Sequence, residues 1–105
     1  MSTKPGAIIT IIYKRTPELK FDYDYYRTVH IPLAAKFWNS RGLIEAHLAV
    51  PTEDSEFSYA LTMYWTSLDA WQEANKVAEE MEQLAADVPK FTNEMPMFVV
   101  GKVVS

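Results

Sequence analysis

The chain has 105 residues, 49% apolar and 23% charged, with a formal net charge of −4; these figures describe one globular domain, residues 1–105, with room for a single core. The absence of cysteine excludes a disulfide framework and thiolate chemistry, and fits a reducing, cytoplasmic setting. Residues 1–50 hold seven Lys or Arg against four Asp or Glu and residues 51–105 three against ten, but the basic residues are dispersed, so nucleic acid is not an expected partner.

Residues 1–6 are too short and polar for a targeting signal, and no apolar run approaches the length of a membrane span, so no membrane association is expected. Residues 7–14 are short and rich in branched apolar side chains, which predicts a first strand with apolar residues on both faces. A loop containing Pro17 follows. From residue 22 the spacing turns helical. Asp22 suits the N-cap and Asp24 the first turn, and Tyr23, Tyr26, His30, Leu33, Ala34 and Phe37 share one face. Pro32 lacks an N–H and disfavours helical geometry at Ile31, so the helix should kink or restart there. It should end near residues 40–42, with Gly42 just past the C-cap.

Residues 43–50 read as the second strand, residues 52–56 as an acidic loop, and residues 57–66 as the third strand, with Phe57, Tyr59, Leu61, Met63 and Trp65 opposite Ala60 and Tyr64. Thr66 with Asp69 resembles a capping box. Beyond it, Leu68, Trp71, Ala74, Val77, Ala78, Met81, Leu84 and Ala85 form the stripe of one second helix, whose acidic outer face is solvated. Residues 87–96 are a connector and residues 97–104 the last strand. The order β-α-β-β-α-β specifies an α+β, ferredoxin-like plait, with two helices on one face of a four-stranded antiparallel sheet. Both sheet faces are apolar while helices cover only one. At roughly 25 cal/mol per Å² of lost burial, a homodimer closing sheet on sheet is the expected solution.

Few residues offer chemistry. His30 and His47 lie on different elements without Cys, so no metal site is expected. The three glycines are too scattered for a phosphate or dinucleotide loop. His30 stands out as an imidazole on an aromatic helix face. It serves either as a core side chain hydrogen-bonded to the broken helix or as a general acid or base. Tyr26, one turn earlier, either packs or donates to a substrate oxygen, and Tyr23, Phe37, Trp38 and Tyr64 supply aromatic walls. Thr92 and Asn93 either cap their loop or reach the pocket mouth.

The run Phe21-Asp22-Tyr23-Asp24-Tyr25-Tyr26-Arg27-Thr28-Val29-His30-Ile31-Pro32-Leu33, with the later Asp87-Val88-Pro89-Lys90-Phe91-Thr92-Asn93-Glu94-Met95-Pro96, resembles the paired signatures of the EthD family of dimeric α+β barrel proteins. The resemblance covers essentially the whole chain. It implies a homodimer and a pocket between sheet and helices that presents His30. Proteins of that family are associated with ether degradation beside a cytochrome P450 system, and relatives in polyketide pathways with cofactor-free decarboxylation, dehydration, cyclisation or anthrone oxidation. The chain departs from the common pattern at Lys90 and in its short, acidic 52–56 loop. The expectation is a cofactor-independent lyase or isomerase for a small apolar carbonyl or phenolic compound. The alternative is a non-catalytic protein that carries a hydrophobic metabolite to an oxygenase. In the first, His30 shuttles a proton and Tyr26 hydrogen-bonds the oxygen where charge builds.

Overall fold

A computed structural model describes residues 4–105, so residues 1–3, part of the stretch read for a targeting signal, lie outside it. Four strands, β1 (Ala7–Lys14), β2 (Leu43–Ala49), β3 (Phe57–Trp65) and β4 (Met97–Lys102), form one antiparallel sheet in the order β2-β3-β1-β4. The expected ferredoxin-like plait is therefore present. Strand β1 is central, which explains its lack of a polar face: Ala7, Ile9, Ile11 and Tyr13 are buried under the helices, while Ile8 and Ile12 look out from the other side. In β2 the extra residue Ile44 makes a bulge, so that Leu43 and Ala46 both face inward, opposite Trp65 and Met63.

The first helical segment opens as the sequence predicts. Asp22 caps it, accepting the Tyr25 N–H at 3.1 Å. A short α1 (Tyr23–Tyr25) then widens into a π-helical turn over Tyr26–His30 before α2 (Ile31–Trp38). The Ile31 N–H reaches back five residues to the Tyr26 carbonyl, and Pro32 sits in the first turn of α2, where its missing donor costs little. The proline is thus accommodated by a widened turn rather than a chain break. A 3₁₀ turn, Asn39–Arg41, leads to Gly42 at φ 123°. A Cβ there would lie 2.7 Å from Thr66 Oγ1 and 2.9 Å from the Ala70 Cβ, so both backbone angle and space demand glycine.

Two expectations for the second helix need correction. Its cap is Ser67, whose hydroxyl accepts the Ala70 N–H at 3.0 Å, one residue beyond the Thr66 box. It is also two helices, α3 (Leu68–Ala74) and α4 (Ala78–Asp87). The Asn75 side-chain amide donates to the Trp71 carbonyl at 2.8 Å, competing for a helix acceptor. Val77 is then extended, at φ −81° and ψ 90°. The break leaves Ala78 and Ala85 exposed although the single stripe had placed them inside.

Trp38, Trp65 and Trp71 pack in a T-shaped triangle with ring centroids 5.3–5.6 Å apart. The indole N–H groups of Trp38 and Trp65 are buried without a hydrogen-bond acceptor. Arg41 holds α4 with a bidentate pair of bonds to Glu80, at 2.9 and 2.8 Å.

Candidate active site

Between the inner sheet face, the π turn with α2, and the α3–α4 pair lies a cavity of about 360 Å³, a size suited to a small organic ligand. Its floor includes Ile11, Leu61 and Met63, and Trp38 and Trp71 close one end. Among the described residues the lining includes the polar side chains Tyr13, Tyr26, His30 and Asn75 and the indoles of Trp38 and Trp71, but no Lys, Arg, Asp or Glu.

The π turn explains which residues reach this space. A regular helix advances about 100° per residue, which would align Tyr23 and Phe37 with His30. One wide turn absorbs an extra residue, and Tyr26, His30, Ala34 and Trp38, each four apart, line the cavity instead. Tyr23 lies outside it, 38% exposed and stacked on Tyr59 with 5.7 Å between centroids. Phe37 packs against the core without lining the cavity. Tyr64 is on the opposite face of the sheet, paired with Ile8 and Glu45, and takes no part in the cavity wall. Strand parity accounts for this, since Met63 and Trp65 face the helices.

Thr92 and Asn93 are loop clamps. The Thr92 hydroxyl donates to the Lys20 carbonyl at 2.8 Å, and Asn93 accepts the Lys20 N–H at 2.8 Å and donates to the Glu18 carbonyl at 2.8 Å. They bind the loop after β1 to the chain before β4, beside rather than inside the main cavity. His47 is exposed and bonded to Glu45 at 2.8 Å.

His30 is held from two sides. Its ring stacks on Tyr26 at 5.7 Å and tilts against the buried Phe91 at 4.6 Å. Its Nδ1 lies 2.9 Å from Oδ2 of Asp87, the last residue of α4 and itself 6% exposed. The other carboxylate oxygen, Oδ1, accepts the Tyr25 hydroxyl at 2.6 Å, and the Lys90 ammonium stands 3.9 Å away. Burial by itself would raise the Asp87 pKa. Hydrogen bonds from Tyr25 and His30, with the charges of His30 and Lys90, outweigh it and hold the carboxyl below its ordinary value. Tyr25 is pushed up by the same contact. Burial, with the Tyr13 phenol beside it, raises Tyr26 so far that it stays protonated, and burial lifts Tyr13 to about 12. Both cavity phenols therefore keep their protons, and each has the other as a hydrogen-bond neighbour.

Asp87, Phe91 and Tyr13 were not singled out from the sequence. Asp87 carries the same signature as His30, a titratable residue where the helix stripe Leu84–Asp87–Phe91 calls for an apolar one. A depressed carboxyl adds stability that is complete above its unfolded value, 3.8, and is lost as pH falls through the lower folded value. The stability advantage of wild type over Asp87→Asn, followed by urea melts in the acid limb below about pH 5, is expected to shrink steadily on acidification. A gap that stays constant down to unfolding would mean that the Asp87 contacts leave its titration unchanged.

Among the described residues no three His, Cys, Asp or Glu side chains gather as metal ligands, and no helix is long and apolar enough to cross a membrane.

These features define a small α+β protein of ferredoxin-like topology with a histidine in an otherwise uncharged, aromatic cavity. The EthD domain family model matches residues 16–94, and the chain belongs to that family. No curated protein sequence matches it significantly. Among solved structures it is similar to an EthD-like protein of Ralstonia eutropha JMP134, with TM-score 0.82 and 17% identity over 97% of this chain and 96% of that one. It is also similar to SnoaB, a cofactor-independent oxygenase from Streptomyces nogalater, with TM-score 0.69 and 15% identity over 97% and 96% of the two chains. A dimeric ferredoxin-like protein from an uncultured marine organism shares the fold at TM-score 0.56 and 14% identity, over 98% and 91%. At these identities the likeness is one of fold.

Proposed function

We propose that the protein is a cofactor-independent homodimeric enzyme that performs acid–base chemistry, of lyase or isomerase type, on a small, largely apolar carbonyl or phenolic compound. The observation that carries this reading is His30: a titratable ring lining an uncharged cavity, with Nδ1 committed to a buried carboxylate and Nε2 left for a ligand. His30 takes a proton from an activated C–H or O–H of the substrate. Tyr26 donates to the oxygen on which negative charge gathers, and Trp38 and its apolar neighbours keep water out. The imidazolium then returns the proton to another atom of the same molecule, to a departing hydroxyl, or, where a carboxylic acid has bound in its neutral form and given up its O–H proton, to the carbon left when CO₂ leaves. The cofactor-independent chemistry named for SnoaB supports a cofactor-free reading.

The outer sheet face supports the homodimer. Ile8, Met97 and Val99 share it and are 38%, 44% and 59% exposed, with Ile12 and Tyr64 beside them. A second copy laid sheet to sheet would cover them, and the dimeric ferredoxin-like neighbour is consistent with that.

A thermal-shift panel of phenols, quinones, aromatic acids and small ketones, with product analysis of each stabilising mixture, tests the proposal. A ligand at 100 times its Kd adds about 2.7 kcal/mol, which moves the midpoint of such a domain by more than about 10 °C. A neutral phenol or ketone that both stabilises the protein and is converted is the expected result. Stabilisation without product would assign a carrier role instead, and a panel in which only charged acids bind would overturn the substrate class.

A further inference from the structure

We propose that Asp87, anchored by Tyr25, is the positioning residue that holds His30 as the Nδ1–H tautomer, so that Nε2 is the base and the site starts its chemistry by taking a proton from a neutral acid. This inference rests on the reading of His30 as an acid–base group and adds the order of events and the charge of the substrate.

The argument begins with what each Asp87 oxygen can do. An ionised carboxylate only accepts. Oδ1 receives the Tyr25 hydroxyl at 2.6 Å and Oδ2 faces the imidazole at 2.9 Å, so the proton between Asp87 and His30 belongs to Nδ1. The neutral ring then carries its lone pair on Nε2. Tyr25, His30 and Lys90 are the titratable groups that face this carboxylate, from α1, the π turn and the 3₁₀ turn Val88–Lys90 respectively. All three favour its charged form. When Nε2 gains a proton the resulting imidazolium sits against that charge, which stabilises it; a ring resting in the opposite tautomer would offer Nε2–H first and act as an acid.

The substrate's charge follows from the lining. Among the described residues the cavity lining has no Lys or Arg to neutralise an anion, so a carboxylate or phosphate would be buried beside Tyr13 and Tyr26 without a permanent countercharge. A neutral ketone or phenol carries no such penalty. The negative charge appears only after His30 has become positive beside it, and the two phenol donors meet it then. The step balances within the pair: the C–H or O–H bond breaks, its electrons stay as enolate or phenolate, and the proton forms the N–H of His30.

Two measurements test this. Long-range ¹H–¹⁵N correlation spectra of the wild-type protein are expected to show His30 with the proton on Nδ1, and a ring protonated on Nε2 overturns the proposal without any ligand. Independently, 2-tetralone serves as a neutral enolisable probe, its α-proton exchange in D₂O followed by NMR. Asp87→Asn is expected to slow enzyme-dependent exchange by roughly 10- to 10⁴-fold, and exchange at the wild-type rate overturns the proposal. Tyr25→Phe keeps the carboxylate and guards against misfolding of the Asn variant; it should retain the Nδ1–H ring with exchange slowed several-fold. Should wild type not accelerate exchange at all, base chemistry on such ketones fails while the tautomer spectrum still decides the role of Asp87.

Discussion

Replacing His30 by Gln is expected to reduce turnover of any converted ligand by about 10²- to 10⁴-fold, the range that a positioned general acid or base supplies, while ligand binding persists. Gln keeps a polar side chain of similar reach and can donate its amide N–H to Asp87, so the carboxylate is not left bare. What it lacks is a ring nitrogen that can accept a proton and give it back. The packing against Tyr26 and Phe91 weakens, which bears on stability more than on recognition, because Ile11, Met63, Trp38 and the other apolar lining residues are unchanged. Turnover and thermal shift measured on the same variant separate the two effects. Undiminished turnover would remove His30 from the chemistry. Loss of binding together with turnover would make it a recognition group, in keeping with a carrier.

The largest stability change is expected at Trp65. Its side chain is fully buried at the end of β3, edge-on to Trp38 at 5.6 Å and to Trp71 at 5.3 Å. It thereby joins the sheet to both helical layers. Truncation of such a residue to Ala costs about 3–5 kcal/mol, set against a total of about 5–15 kcal/mol for a domain. At roughly 4–8 °C per kcal/mol, the melting midpoint should fall by more than about 12 °C, and part of the population should be unfolded near body temperature. Circular dichroism melts read this directly. Because Trp65 does not line the cavity, protein that remains folded should still bind ligand, and a loss below about 1 kcal/mol would mean that the site collapses to refill the space.

The frame of this protein was legible in the sequence because local rules agree there. Alternation in β3 separates Leu61, Met63 and Trp65 from Tyr64, and Asp22 starts its helix as a cap residue should. His30 was legible for the opposite reason, as a residue that breaks the pattern around it. The helical misplacements of Tyr23, Ala78 and Ala85 share one cause: a helix was assumed to run on unbroken at constant pitch. The π turn shifts the phase between Tyr23 and His30, which removes Tyr23 from the cavity wall, and the Asn75 bond to Trp71 ends α3 where the apolar stripe continues. Tyr64 is different, since parity alone separates it from the pocket face. Asp87 escaped because its meaning lies in a residue 57 positions away, a pairing that no window of neighbouring residues contains.

That separation has a kinetic consequence. The bonds that assemble the site join Tyr25 to Asp87 across 62 residues, Thr92 to Lys20 across 72 and Asn93 to Glu18 across 75. Each closes well over half of the chain into a loop, and ordering such a loop loses entropy before any contact compensates it. The β1–β3 pairing is of the same long-range kind, and such non-local contacts should make folding slower than that of a helical chain of this length. His30 and Asp87 therefore meet only when distant parts of the chain have come together. A nascent chain that has not yet delivered residues 87–93 holds His30 without its partner, so the proposed proton transfer requires the C-terminal part of the chain in place.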